Sequence, residues 1–446
     1  MIRRNRRSLS TRSISLTLPV LLITFGVCRA APIFGDKHQL RQPDGSLVDV
    51  RIWGDEYHQI VESLDGYTLV RDSVTGLICY ARLSDDRRQL VSTGQEVGKS
   101  SPATTGLAKH LRVLPEAVKA TAATTRLLLN PTTEAPAIQA AGNGEPQPAA
   151  TSTGDVQGIC LIVDFSDDPG TIAPSEVANY CNQVGYSGYG NNGSVRDYFY
   201  DVSISRLTYT NYVPTQYHRA LYTKAYYDDP NVSYGTRARE LITEALNALN
   251  ASGFDFSQYD SDDDGKIDAV NCLYAGTTTS GWAEGLWPHC GGITWSADGV
   301  STSRYQITNM GSSLRLSTFC HENGHMICGW PDLYDYDHDS NGVGTFCLMC
   351  NSGSAANPVE PCAYLKYIAG WTDTTLLTSL QTNLPLTAGT NAIYKYAHPT
   401  ASTEYYLIEN RQKTSRDASL PTSGLALWHI DVNGSNNNQQ MTPASH

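Results

Sequence analysis

The chain has 446 residues, 40% apolar and 17% charged, with 26 Tyr against 8 Phe. That length suggests about three domains, and the composition excludes a low-hydrophobicity disordered chain. A formal charge of −12 argues against nucleic acid or anionic lipid as partner and is compatible with binding hard cations.

Residues 1–31 read as a signal peptide. Arg3, Arg4, Arg6, Arg7 and Arg12 make a basic start, Ile14–Val27 is an apolar run, and Cys28-Arg29-Ala30-Ala31 offers small residues for cleavage after Ala30 or Ala31. The apolar run is short for a membrane span. No other segment is long and apolar enough, so a secreted protein without stable membrane insertion is expected. Six arginines and no acids leave with residues 1–31, taking the formal charge from −12 to −18. Ten of the 11 cysteines remain, an even number that makes several disulfides plausible in an exported chain. Cys347 and Cys350 are spaced C-x-x-C without a second such pair, which argues against a zinc ribbon.

Residues 32–95 read as a small β-rich unit. Val48–Trp53, Tyr67–Arg71 and Gly76–Leu83 are strand-like and separated by Pro-Asp-Gly, Asp-Gly and Thr-Gly turns. Cys79 alternates within such a strand and is expected in its core. Residues 96–154 read as a Pro/Ala/Thr-rich linker too poor in apolar residues to order itself, with helical promise only at Pro115–Leu129. Maturation cleavage is expected between Thr125 and Asp155.

Residues 155–375 open with Gly158–Phe165, an almost continuous apolar run that suits a central strand. Helices are predicted at Ser175–Val184, Ser194–Asp201 and Thr236–Asn250, and strands at Leu207–Tyr212 and Ile267–Tyr274. Before that last strand, Asp260, Asp262, Asp264, the Lys266 carbonyl and Asp268 alternate around Gly265. Such a loop wraps one Ca²⁺ with oxygen ligands. The twelfth position is Asn271, not the bidentate Glu of a full EF-hand, and a solvated acidic turn is the alternative. His289 has no paired His and reads as structural or substrate-facing.

The stretch Cys320–Asp335 carries the chemistry. His321 and His325 stand four apart, which on a helix puts both imidazoles on one face. Two neutral imidazoles so placed can take two sites of a tetrahedral Zn²⁺. Glu322, one step from the first His, is placed as general base toward a water at the metal. Gly329 and Pro331 stop the helix, so the chain reverses and can bring back Asp332 or Asp335 as third ligand. Asp335–Asp339 is a second acidic cluster, equally a calcium site or an exposed turn. Residues 376–446 turn to strands: Leu384–Leu386, Ala392–Tyr396, Tyr405–Asn410 and Leu425–Ile430. His429 alternates within the last and reads as structural.

The phrase H-E-N-G-H-x-x-C-G-W-P-D-L-Y-D resembles the zinc signature of the M6 family of secreted metallopeptidases, the immune inhibitor A-like proteases. G-D-E-Y-H, D-G-Y-T-L-V, G-S-V-R-D-Y-F-Y-D-V-S and Y-Y-L-I-E-N-R-Q continue the likeness over most of residues 36–435 apart from the linker. Cys328 before Gly329 is an extra residue relative to the family spacing and sets Asp332 seven after His325, not six; by its P-D-L-Y-D context Asp332 is the best match for the third ligand, and Asp335 is the fallback. The resemblance implies an α+β fold: a metzincin-like zinc peptidase domain with a mixed sheet and active-site helix, a β-rich propeptide before it and a β-rich region after it. It implies one catalytic zinc, protein or peptide substrates, a structural calcium, Met349 as an apolar floor beneath the metal, and a propeptide acting as intramolecular inhibitor. Tyr334 and Tyr336 are candidates by proximity for steadying an oxyanion. The rival expectation is a calcium-stabilised secreted binding or adhesive protein on the same fold with a dead site.

Overall fold

The structure, a computed structural model, describes residues 33–99, 101–130, 148–335, 340, 342–397, 400 and 404–431. The leader at 1–31, Tyr336 and most of the Asp335–Asp339 cluster lie outside them. Among the described residues the chain is α+β, and no helix is long and apolar enough to cross a membrane.

The first six strands form an antiparallel meander in sequence order: β1 Ile33–Arg41, β2 Leu47–Gly54, β3 Gln59–Ser63, β4 Thr68–Arg71, β5 Ile78–Leu83 and β6 Leu90–Glu96. Short polar turns set the reversals. The Asp44 carboxylate accepts from the Ser46 N–H, and that of Asp72 from the Thr75 N–H. Val50, Ile52, Val61, Leu69 and Ile78 are buried on one face. They pack in a cluster with Tyr234 and Trp287 of the following unit, so the meander is docked on its neighbour through its core face. Cys79 is buried in β5.

Part of the expected linker is ordered, which corrects the reading from composition. Pro115–Leu129 forms helix α1, with Ala117, Val118, Ala122 and Leu129 buried. The reason is tertiary: this apolar stripe has a folded surface to cover. Leu129 joins the cluster that holds Tyr234, and the Leu128 carbonyl accepts from Arg239. His110 and Arg112 pair with Glu62 on β3.

The central sheet has the order β11-β12-β10-β7-β8, with a two-residue strand β9 (His218–Arg219) beside β7. Its members are β7 Gly154–Asp164, β8 Leu207–Tyr212, β10 Val270–Tyr274, β11 His289–Ala297 and β12 Val300–Asn309. Pairing is parallel except between β11 and β12. Strand β7 is buried on both faces, which is why its apolar residues run without alternation. Cys160 and Ile162 face helices α2 (Pro174–Asn182), α3 (Val195–Val202) and α6 (Leu316–Cys328). Ile159, Leu161 and Val163 face α5 (Thr236–Ala251), behind the short α4 (Lys224–Tyr227). Ser194 and Asp197 close a capping box at the start of α3.

After α7 (Ala363–Ile368) a last sheet runs β13 Asp373–Leu376, β14 Ala392–Ala397, β15 Glu404–Arg411 and β16 Gly424–Asp431. Leu384–Leu386 is not a strand. Pro385 has no N–H to give to a ladder, and the segment instead offers carbonyls: Pro385 accepts from the Tyr394 hydroxyl and Leu386 from the Asn410 amide. The ten described cysteines stand as free thiols, nine of them buried. They fill the core as small apolar side chains, where the sequence had suggested bridges. The Cys362 N–H donates to the Cys347 sulfur at 3.3 Å.

Candidate metal centre

Helix α6 is buried almost throughout, with only His325 partly accessible. Gly329 ends it at φ 64°, a left-handed C-cap that lets the chain turn back. The reversal is fixed by Trp330, whose indole N–H donates to the Leu365 carbonyl and whose ring lies against Trp371. A Cβ at Gly324 would meet the Trp330 ring at 2.7 Å and the Met349 sulfur at 2.9 Å. The helix therefore needs a glycine there, and Met349 lies directly against the turn that carries His321 and His325.

The reversal delivers Asp332. Its Oδ1 lies 3.1 Å from Nε2 of His321 and 3.1 Å from Nε2 of His325. The two Nε2 atoms are 3.2 Å apart. Asp335 is elsewhere engaged: its carboxylate accepts from the Ser340 N–H at 2.7 Å. Of the two acids that the sequence left open, Asp332 joins the histidines.

The outer ring nitrogens settle the tautomers. His325 Nδ1 is 2.6 Å from the Trp330 carbonyl and His321 Nδ1 is 3.2 Å from the Leu348 carbonyl. A carbonyl only accepts, so each Nδ1 carries the proton and each Nε2 presents a lone pair. Three acceptor atoms then converge within 4.8 Å of one another. Such an arrangement is repulsive by itself and fits a cation among the three, the second-partner geometry of a metal-ligating His. Burial works against ionisation of Asp332, and the two imidazoles hold its carboxyl well below the usual carboxylate range only in their charged, donating form.

Glu322 is fully buried, and neither carboxylate oxygen makes a well-formed hydrogen bond. Burial pushes its carboxyl up to about 7, with His321 opposing and the charge of Asp332 adding. An uncompensated buried carboxyl is costly, and such groups concentrate at sites of chemistry.

What holds this helix to the sheet was not foreseeable from the sequence. Asn323 donates to Oδ1 of Asn271 on β10 (2.9 Å) and accepts from the Tyr209 hydroxyl on β8 (2.7 Å). Asn271 in turn donates to Asn211 and accepts from Gln306. These side chains are scattered singly along the chain, and only the sheet brings them together. A second missed group is the pair Asp55–Glu56 of the N-terminal meander, each 1% exposed. Glu56 Oε2 accepts from the Tyr334 hydroxyl at 3.3 Å. Burial, together with the charges of Asp332, Asp55 and Glu322, pushes its carboxyl well above its ordinary value.

The acidic loop gathers Asp260, Asp262 and Asp268 within 4.8 Å of one another. Asp264 turns outward, accepting from the Lys266 backbone N–H and pairing with its ammonium at 3.0 Å. The loop thus differs from the expected alternation: three carboxylates converge and the fourth neutralises a lysine.

His289 is structural. It is buried, with Nδ1 2.6 Å from the Trp287 carbonyl and Nε2 2.7 Å from the Tyr305 hydroxyl. Burial pushes its pKa down to about 4. The unfolded imidazole, near 6.5, takes up its proton first, so this group's contribution is present above about pH 6.5 and is lost as pH falls toward 4. His289→Gln is expected to show a flatter loss of stability than the wild type across that window in urea denaturation; parallel curves would refute this. His429 is exposed and bonded to Glu404.

No protein-family model matches this chain, and no curated protein matches it.

Proposed function

We propose that this chain is an exported zinc-dependent endopeptidase, held inactive by its own N-terminal unit and acting on protein or peptide substrates. The observation that carries the reading is the convergence of His321, His325 and Asp332, with both imidazoles tautomerically committed to offer lone pairs. A bound zinc ion supplies Lewis acidity toward a carbonyl and lowers the pKa of a water. Glu322, buried beside the three ligands and poised near neutrality, takes a proton and later returns it to the leaving amine. Tyr334, buried two residues after Asp332, offers a hydroxyl for the developing oxyanion once Glu56 is gone.

Activation by cleavage agrees with how the flanks are anchored. On one side Leu129 is buried in the core. On the other the Thr151 hydroxyl donates to the Ile327 carbonyl of α6, and the Trp371 indole donates to the Ser152 carbonyl. Cutting is expected between them, within residues 131–147.

The test is metal content and casein hydrolysis on one preparation, before and after limited proteolysis. One zinc per chain is expected, with hydrolysis after cutting and none once a chelator has removed the metal. Zinc-free protein that is correctly folded would defeat the metal reading, and zinc-loaded, cut protein without hydrolysis would favour a binding protein on this fold.

The loop 260–268 is proposed as a structural calcium site, with Asp260, Asp262 and Asp268 as its carboxylates. Calcium at about a hundred times its Kd is expected to stabilise the fold by about 2.7 kcal/mol, an effect absent in Asp262→Asn. An unchanged melting temperature on adding EGTA at fixed zinc would rule the site out.

A further inference from the structure

Helix α1 ends against the edge of the central sheet. Leu129, its last residue, is fully buried, in one cluster with Tyr234, Ala283 and Trp287. Leu127 and Leu128 before it are exposed, so of three consecutive leucines this seat takes one. Two glycines line it. A Cβ on Gly235 would stand 3.0 Å from Leu129 Cδ2, and one on Gly291 would stand 3.2 Å from the Leu129 carbonyl oxygen. Both are shorter than an ordinary van der Waals contact, so a side chain at either glycine would crowd Leu129. The Tyr234 hydroxyl donates to the Trp287 carbonyl and its ring lies against His289, which fixes the floor. Arg239 holds the rim, donating to the Leu128 carbonyl at 3.2 Å.

The seat adjoins the metal centre through β11. That strand pairs with β12 on one side and is an edge of the sheet. Gly291 follows Cys290, and the Arg304 guanidinium bridges the Cys290 sulfur (3.7 Å) to the His325 carbonyl (2.9 Å) on α6. One short stretch of β11 therefore joins the Leu129 seat to the helix that carries the histidines. Trp287 adds a sign of a ligand. It is 1% exposed, and its indole N–H meets no acceptor among the described residues. A buried donor left unmade is costly, and a peptide carbonyl would satisfy it.

We propose that Leu129 occupies, in the uncut chain, the pocket that takes one leucine-sized aliphatic side chain of the peptide substrate. This rests on the peptidase reading above and names its specificity. When the chain up to Asn130 leaves, Tyr234, Gly235, Ala283, Trp287 and Gly291 stay as walls, since all five belong to the unit that carries α6. Alanine would leave part of the pocket unfilled. Tryptophan would meet the two glycine backbones.

The first experiment uses the full chain and needs no hydrolysis. Wild type and Leu129→Ala are melted with and without N-acetyl-leucine amide, with N-acetyl-glycine amide as control. The leucine probe is expected to raise the melting temperature of the variant, whose seat is open, and to leave the wild type unchanged. A variant that ignores the leucine probe overturns the pocket. The second experiment digests a peptide library with the zinc-loaded, cut chain. Cleavage is expected about tenfold faster where one fixed position beside the cut bond holds leucine than where it holds alanine. In Tyr234→Ala the preference is expected to move to phenylalanine. No side-chain preference, or the same preference in the variant, overturns the proposal. If Tyr234→Ala does not fold, the leucine-to-alanine ratio of the wild type decides. Probe binding by a chain that holds zinc and hydrolyses nothing defeats the peptidase reading and leaves the pocket standing.

Discussion

On the zinc-peptidase reading proposed above, Glu322→Gln is expected to lower peptide hydrolysis about 10²- to 10⁴-fold, the range that a positioned proton-transfer group supplies, without loss of zinc or of stability. Glutamine keeps the shape of the side chain and can neither accept nor return a proton. The native carboxyl is wholly buried with no well-formed hydrogen bond to either oxygen, and burial pushes it up to about 7. A group in that condition contributes nothing to folding that an amide would lose, so the urea midpoint should stay level or rise. The double signature separates two roles. A structural Glu322 would give a lower midpoint with normal turnover per folded molecule. Full activity with an unchanged midpoint would mean that another residue moves the proton.

Much of the fold was legible wherever one physical signal acted alone. Pro115–Leu129 was readable because Pro at the first turn and a spaced apolar stripe agree. Leu207–Tyr212 alternates cleanly, as a strand with one buried face does. Strands β11 and β12 were not foreseen. His289–Ala297 mixes glycines with single polar residues and includes a register shift between Gly292 and Trp295, so no period survives in it. Leu384–Leu386 failed for the opposite reason: two leucines looked like a strand, and Pro385 prevented one.

At the site, the pair His321 and His325 was visible because helical spacing alone places two imidazoles together. Asp332 was one of two possibilities because a chain reversal, unlike a helix, has no fixed period. The choice between it and Asp335 came from packing, through Trp330 against Trp371 and Leu365. Glu56 was out of reach, since nothing in a sequence says which of 44 acids will meet the Tyr334 hydroxyl, 278 positions further along the chain. Asn323 and Asn271 were hidden likewise, each being an ordinary polar residue until the other is placed beside it.

Arg411→Met will cost about 3–5 kcal/mol of stability, the loss typical of breaking a buried ion pair by removing one partner. The side chain is 4% exposed. Its guanidinium grips both carboxylate oxygens of Asp417 and donates to Glu409 and to the backbone carbonyls of Phe346 and Glu360. Those contacts raise the Arg411 pKa well above its ordinary value even though burial opposes charge. Methionine fills similar space and takes the guanidinium away from Asp417 and Glu409, both buried, with the charge of Glu360 still acting on Asp417. The damage should not stay in the C-terminal sheet. Phe346, whose carbonyl accepts from this arginine, stands just before Leu348, whose carbonyl fixes His321, and Met349, which lies against Gly324. Zinc retention should therefore weaken along with the urea midpoint. Adding Asp417→Leu to Arg411→Met removes one stranded charge and is expected to recover a measurable part of the loss. A single variant as stable as the wild type would show that the buried cluster carries no net stabilisation and that the last sheet is held by its apolar face alone.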